Sequence, residues 1–346
     1  MSESVRAGAA KIVALGGRSG PSLIVQGFRG TGWEVTALVA TTDTGSSSGV
    51  IRDQFGLPAP GDIRTVLATA ADQGGELGSL TSLFEFRFAP RGDSTLQNMA
   101  LGNLILTALA QELGDFDRAV EAAGRLLNCG ATVRPVPSSP ATLCARLADG
   151  SVVRGEEKVR GTGKPPIAEL FLDPVEVQVP AATLGAILEA DLVVLGPGGL
   201  FCSVLPCLLP HPIRQAIGQR RGKTVYVCNS TTQPGQTDGF DVVGHVQEIL
   251  RYLGEGQLDY VLLNIQVPAA DVVAAYRADE VHFMAVAAEE IQRVKALGPI
   301  PIVGDFVEAD WRGKRSLHKL DTIRHDPQKL AASLQTLLLD GGRGHV

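Results

Sequence analysis

The sequence predicts an α/β protein, a Rossmann-like, doubly wound and mostly parallel sheet with an inserted β-rich lobe. Three patterns predict it. Several short β-branched runs are apolar throughout rather than alternating, as strands covered on both faces are. Each run stops abruptly in a glycine-rich or polar turn. Segments of helical spacing lie between them, so strand, turn and helix recur in βαβ order.

The strands read in order as "KIVALGG" (11–17), "VTALVATTD" (35–43), "DLVVLGPGG" (191–199), "KTVYVCNSTTQPG" (223–235) and "LDYVLLN" (258–264). "MALGNLILTALAQELGD" (99–115) has helical spacing and closes at Gly114. "DFDRAVEAAGRLLN" (115–128) follows, with Asp115 placed as its N-cap. "PIRQAIGQRRG" and "VVGHVQEILRYLG" read as helices leading into the next strands. Residues 131–180 break the pattern, because "CARLADGSVVRGEEKVR" carries a DG turn between alternating runs and "TGKPPIAELFLDP" adds another strand. They read as a β-rich lobe inserted into one domain spanning 11–346, after a disordered tail at 1–10. Beyond residue 270 the chain alternates helix and strand, with "IPIVGDFVEAD" as a late strand and a last helix after "RHDP".

Composition narrows the function classes. Of 346 residues 45% are hydrophobic, enough for a sizeable core. The net charge is −6 and Lys and Arg are scattered, which argues against nucleic acid as the partner. Cys129, Cys144, Cys202, Cys207 and Cys228 form no CxxC pair and no zinc spacing, and read as small buried thiols in a reducing compartment. No apolar run reaches the ~18 to 20 residues of a membrane span, and the N-terminus lacks a signal-peptide pattern. The expected location is cytoplasmic.

Ligands of open α/β sheets bind beyond the carboxyl ends of the strands, and four polar turns sit there. "LGGRSGPS" (15–22) has Gly16, Gly17 and Gly20 for a tight turn of N–H groups, and Ser19 and Ser22 for hydroxyls. It is neither GxGxxG nor a P-loop, and the dinucleotide-fingerprint spacing of an NAD enzyme fails. "ATTDTGSSSG" (40–49) sets Asp43 among Ser47, Ser48 and Gly49, and Asp62 follows in "APGDIRTVL". Two carboxylates beside a phosphate cradle suit Mg²⁺. Spacing alone leans instead towards Asp62 capping its helix and Asp43 closing an Asx turn. Arg52 and Arg64 are the nearest cations for phosphate. "GPGGLFCS" (196–203) offers Gly196, Gly198 and Gly199, and "CNSTTQPGQTDGF" (228–240) offers Asn229, Thr232, Gln233 and Asp238 to a base, ribose or sugar. His245 has no local acid or nucleophile and reads as a core or surface histidine. A nucleotide-like ligand is what four such turns imply.

The ordered set "PGDIR", "LGN", "LGPGGL", "VYVCNSTTQPGQTDG", "LDYVLLN" and "RHDP" resembles the YvcK-like, or gluconeogenesis factor, branch of the CofD-like superfamily, from about residue 11 to residue 336. That branch is associated with UDP-sugar binding and with carbon flux, cell shape and envelope synthesis. The superfamily also holds Mg²⁺-dependent 2-phospho-L-lactate transferases acting on a deazaflavin alcohol. The resemblance implies ligand roles for Gly16, Gly17, Gly20, Ser47, Ser48, Gly49, Arg52, Asn103 and Arg324, and leaves Asp43 with Asp62 as the metal pair. It departs where Arg18 stands for a glycine, Thr44 for a second acid, Met99 for a histidine, and Gly199, Phe201 and Cys202 for hydroxyl residues. The expected partners are a nucleotide-linked small molecule, a UDP-sugar, and a second copy of the chain in a homodimer, with neither nucleic acid nor a membrane span. A regulatory binding protein is the first reading, and a CofD-type transferase the alternative.

Overall fold

Uninterrupted apolar runs become strands because a parallel sheet is covered on both faces and neither face can be polar. The computed structural model describes residues 9–72, 74–89, 92, 94, 96–308 and 324–340. Residues 1–8 of the expected N-terminal tail lie outside the described residues. The first half comprises β1 (Lys11–Gly16), α1 (Ser19–Gly27), β2 (Glu34–Ala40), α2 (Ser46–Phe55), α3 (Gly61–Ala70) and α4 (Gly75–Glu85). It continues with α5 (Leu101–Leu113), α6 (Phe116–Leu126) and β3 (Thr132–Val136). A lobe follows, of β4 (Thr142–Leu147), β5 (Val152–Arg154), α7 (Glu156–Arg160) and β6 (Ile167–Asp173). The chain resumes with α8 (Ala181–Glu189), β7 (Leu192–Leu195), α9 (Leu205–Leu208), α10 (His211–Gly218), β8 (Lys223–Val227) and α11 (Val242–Leu253). It closes with β9 (Tyr260–Asn264), α12 (Ala270–Ala278), α13 (Ala288–Ala296), β10 (Ile300–Gly304) and α14 (Pro327–Asp340).

The large sheet has the order β10-β9-β8-β7-β1-β2-β3, and all neighbours run parallel. The chain winds from β1 to one edge, crosses back, and winds from β7 to the other. Strand order therefore reverses between β1 and β7, where a doubly wound sheet opens its crevice. Alternate residues of each strand feed two cores. Val13, Leu15 and Leu38 join α9, α10 and α11 on one face, while Ile12, Ala14 and Val39 join α1, α3, α5, α6 and α14 on the other.

The lobe is an antiparallel sheet of order β5-β4-β6. Its hairpin turns at Asp149 and Gly150, with Gly150 at φ +85° and the Ser151 N–H donating to Asp149 Oδ1 at 2.9 Å. Leu143, Leu147, Leu170 and Leu172 belong to the first core, and the Leu170 N–H donates to the Tyr252 hydroxyl of α11 at 2.7 Å. Within the 131–180 stretch, Thr132–Val136 is an edge strand of the large sheet, and the lobe's own sheet occupies 142–173.

Local signals act as the sequence implies at α5 and α6. Gly114 ends α5 at φ +67°, and Asp115 Oδ1 accepts from the Arg118 N–H at 2.8 Å. Among the described residues no helix is long and apolar enough to cross a membrane.

Candidate functional site

Three helices begin at the crevice. β1 ends at Gly16, the chain turns at Gly17, and α1 starts at Ser19 with no side-chain cap. α2 starts at Ser46 and α3 at Gly61, again without side-chain caps. A helix N-terminus left without a capping side chain presents N–H groups and a positive dipole end to anions. Their starts abut. Asp62, in the first turn of α3, accepts the Arg18 N–H ahead of α1 at 3.0 Å, and a Cβ on Gly61 would collide with Ser48 Oγ of α2. Gly20 of α1 lies against the backbone of Gly196 and Pro197 in the turn after β7.

The two acids behave differently. Asp43 Oδ1 accepts the Gly45 N–H at 2.8 Å, an Asx turn. Asp62 does not cap its own helix, because its carboxylate reaches the Arg18 N–H across the crevice. Burial, with Asp43 adding its charge, raises the Asp62 carboxyl to about 6, against which Arg18 pulls. A third acid, Glu156 of α7, is raised to about 8 by burial and then by Asp43 and Asp62. Burial is the main cause at both acids, and the acids' mutual repulsion adds to it. Among the described residues no three His, Cys, Asp or Glu side chains form a metal cage. Asp43 and Asp62 are hard carboxylate oxygens of the type that Mg²⁺ takes one or two at a time.

The remaining expected residues divide. Asn103, at the start of α5, is fully buried; its Nδ2 donates to Ser47 Oγ at 3.1 Å, while Oδ1 has no hydrogen-bond partner among the described residues. Gln233 Oε1 is likewise buried without a partner and sits 3.3 Å from the Cβ position of Gly199. Asn229 clamps the turn after β7, accepting the Gly198 N–H at 3.2 Å and donating to its carbonyl at 2.8 Å. Gly49 makes the first turn of α2, its N–H donating to the Gly45 carbonyl at 3.1 Å. Other side chains are spent on structure. Arg52 donates to the Ala141 carbonyl at 2.7 Å and Thr142 Oγ1 at 3.1 Å, tying α2 to the start of β4. Thr232 Oγ1 accepts the His282 N–H at 2.9 Å, and Asp238 Oδ2 accepts the Gly235 N–H at 2.8 Å. Arg324 is exposed beyond β10, its carbonyl accepting the Glu308 N–H at 3.0 Å. His245 is a core histidine, with Nδ1 3.0 Å from the Asp241 carbonyl.

Two unusual positions explain each other. A Cβ on Gly199 would collide with Cys202 Sγ, so glycine here and the buried thiol at 202 are a matched pair. Burial pushes the Cys202 thiol up to about 12, which makes it space-filling rather than nucleophilic. Sequence reasoning missed Ser203, whose Oγ lies 2.7 Å from the Cβ position of Gly17, and the charged pair on α7.

Fold and crevice define a doubly wound α/β protein whose switch point gathers three helix N-termini without capping side chains beside carboxylates. The model of the family "2-phospho-L-lactate transferase CofD" matches residues 12–302, and the chain belongs to that family. It is 36% identical to a putative gluconeogenesis factor of Thermotoga maritima, over 94% of this chain and 99% of that one. It is 34% identical to the gluconeogenesis factor of Bacillus subtilis, over 95% and 98% respectively. The crystal structure of a UPF0052 family protein from Bacillus halodurans superposes with a TM-score of 0.85 at 31% identity, covering 94% of this chain and 99% of that one.

Proposed function

We propose that the crevice binds a nucleotide-diphosphate compound, a UDP-sugar, and that the protein is a cytoplasmic regulator of carbon or cell-envelope metabolism of the gluconeogenesis factor type. The observation that carries this reading is the meeting of the α1, α2 and α3 N-termini, none with a capping side chain, beside Asp43 and Asp62 at the reversal of strand order. Phosphates take the N–H groups of the first loop, the SSSG turn and the turn at Gly196–Gly199. Asn103 Oδ1 and Gln233 Oε1, buried and unpaired among the described residues, are the acceptors for ligand donors. Asp43 and Asp62 hold Mg²⁺, which neutralises diphosphate charge when bound. A homodimer is the proposed assembly.

A second reading keeps the same residues for a CofD-type transfer to a deazaflavin acceptor. It is favoured by the retained carboxylate pair and by the name of the matching family. Calorimetric titration with UDP-glucose, with and without Mg²⁺, separates metal-assisted from metal-free binding. Asp43→Asn and Asp62→Asn should each abolish the Mg²⁺-dependent part of the affinity with the fold intact. Equal affinity with and without Mg²⁺ in the wild type and both variants would remove the metal from the account.

A further inference from the structure

Helix α7 of the inserted lobe has only five residues, too few for stability alone, so its place is set by what it touches. At its N-terminal end the Cβ position of Gly155 lies 3.2 Å from Thr44 Oγ1, and the Glu157 N–H donates to the same oxygen at 3.5 Å. At its other end Gly235 of the β8 turn lies against the Gly161 carbonyl, and Lys164 Nζ donates to the carbonyls of Gly161 and Gly235. Val159 anchors the middle in the core. The helix is therefore a strap from the β2 turn to the β8 turn, crossing the crevice between β1 and β7.

Glu156 and Arg160 lie one turn apart on this strap and face the site. Arg160 acts electrostatically on Asp43, Asp62 and Cys202, and Glu156 on Asp43 and Asp62. Their mutual contact is a loose 3.5 Å, with the Glu156 side chain 13% and the Arg160 side chain 43% exposed. Arg18, exposed ahead of α1, also acts on Asp62 but belongs to the first loop rather than to the strap, and two further arginines near the acids are engaged. Arg52 holds Ala141 and Thr142, and Arg64 is buried with Nη1 3.1 Å from Glu85. A diphosphate entering beside three carboxylates needs a cation free to turn towards it. Guanidinium suits this role, since it binds phosphate oxygens in pairs.

We infer that Arg160 is a phosphate-binding cation of the site, supplied by the inserted lobe, and that ligand entry exchanges its contact with Glu156 for one with the diphosphate. This rests on the reading of the crevice as a diphosphate site. The strap then has a purpose beyond covering the sheet, because it carries a binding residue to a crevice otherwise built from strand-end turns.

The pair is tested by comparing Arg160→Ala, which breaks the α7 contact, with Glu156→Gln, which removes its charge. Calorimetry with UDP-glucose and with GDP, each with Mg²⁺, reads affinity, and thermal unfolding without ligand reads stability. Arg160→Ala should weaken binding about tenfold or more, while Glu156→Gln leaves it unchanged or tighter because the amide holds the guanidinium no more tightly than the carboxyl does. The weakening should shrink as salt is raised, and Arg160→Lys should recover part of it. The ligand-free melting temperature of Arg160→Ala should move by less than about 2 °C, since that guanidinium is 43% exposed. Glu156→Gln, which replaces a mostly buried carboxyl raised to about 8, should instead be more stable than the wild type at high pH. Equal losses in both variants would mean the pair only shapes the strap, and full affinity in Arg160→Ala would overturn the inference alone. Failure of the wild type to bind either nucleotide would take down the site reading and the inference together.

Discussion

Replacing Asp62 with asparagine should make the ligand-free protein more stable, and more so the higher the pH. The carboxyl is raised from 3.8 to about 6, chiefly by burial, with the charge of Asp43 adding to it. A raised acid favours the proton-bound form in the fold, so between these values the folded chain keeps a proton that the unfolded chain has released. Stability then falls as pH rises through that window and stays low above it. At about 1.4 kcal/mol per pH unit, the ionised group disfavours the fold by up to about 3 kcal/mol at pH 8, and by about half of that at pH 5. Asparagine is close to the same shape, keeps an oxygen for the Arg18 N–H, and cannot ionise. Urea unfolding of wild type and Asp62→Asn at pH 5 and pH 8, without ligand, should show a gain that grows with pH. A variant that is less stable than the wild type at pH 8, or a gain of the same size at both pH values, would refute the reasoning. The logic is that of a site whose charge is held at the expense of stability until a ligand arrives.

Gly17→Ala should spare the fold and spoil the site. The added methyl would stand 2.7 Å from Ser203 Oγ and 3.0 Å from Asp62 Oδ2, filling the crevice from a turn that alanine can adopt. Scanning calorimetry should find the melting temperature within a few degrees of wild type, with UDP-glucose affinity down about tenfold or more. His245 is held neutral by burial, its value lowered from 6.5 to about 4. The unfolded chain binds the proton first, so this residue's stability contribution, up to about 3 kcal/mol, is lost as pH falls through that range. Unfolding of His245→Gln should be correspondingly less acid-sensitive between those two values, and an unchanged acid limb would contradict the assignment.

How much was legible in the sequence depends on whether a residue's partner is local. The strands β1, β2, β7, β8 and β9 are continuous apolar runs, and the turn at Gly150, the stop at Gly114 and the cap at Asp115 are all read from neighbours. β3 was not separated from the inserted lobe because "TVRPV" carries an arginine and a proline. An edge position tolerates both, and Arg134 pairs with Asp117 at 2.7 Å. The carboxylate of Asp62 finds its donor 44 residues away, so spacing leaned towards a helix cap that is not formed. Arg52 looked like a phosphate ligand beside the SSSG turn, yet its guanidinium is bonded to residues 141 and 142. Glu156 and Arg160 gave no signal, since "EEKVR" lies within the stretch that reads as a hairpin and meets the crevice only once the lobe folds back over it. Four strand-end turns announced a site, but which side chains face inward is set by packing between segments far apart in the chain.

The measurement that bears most directly on the central claim is a thermal-shift panel of UDP-sugars, GDP, NAD(P) and deazaflavin, each with and without Mg²⁺. A ligand that binds only the folded chain raises its melting temperature by mass action. The account predicts a shift with UDP-sugars that Mg²⁺ enlarges, little or none with NAD(P), and no consumption of the sugar nucleotide on prolonged incubation. Shifts confined to GDP with deazaflavin in Mg²⁺ would contradict the regulatory reading and place the chain with the transferases.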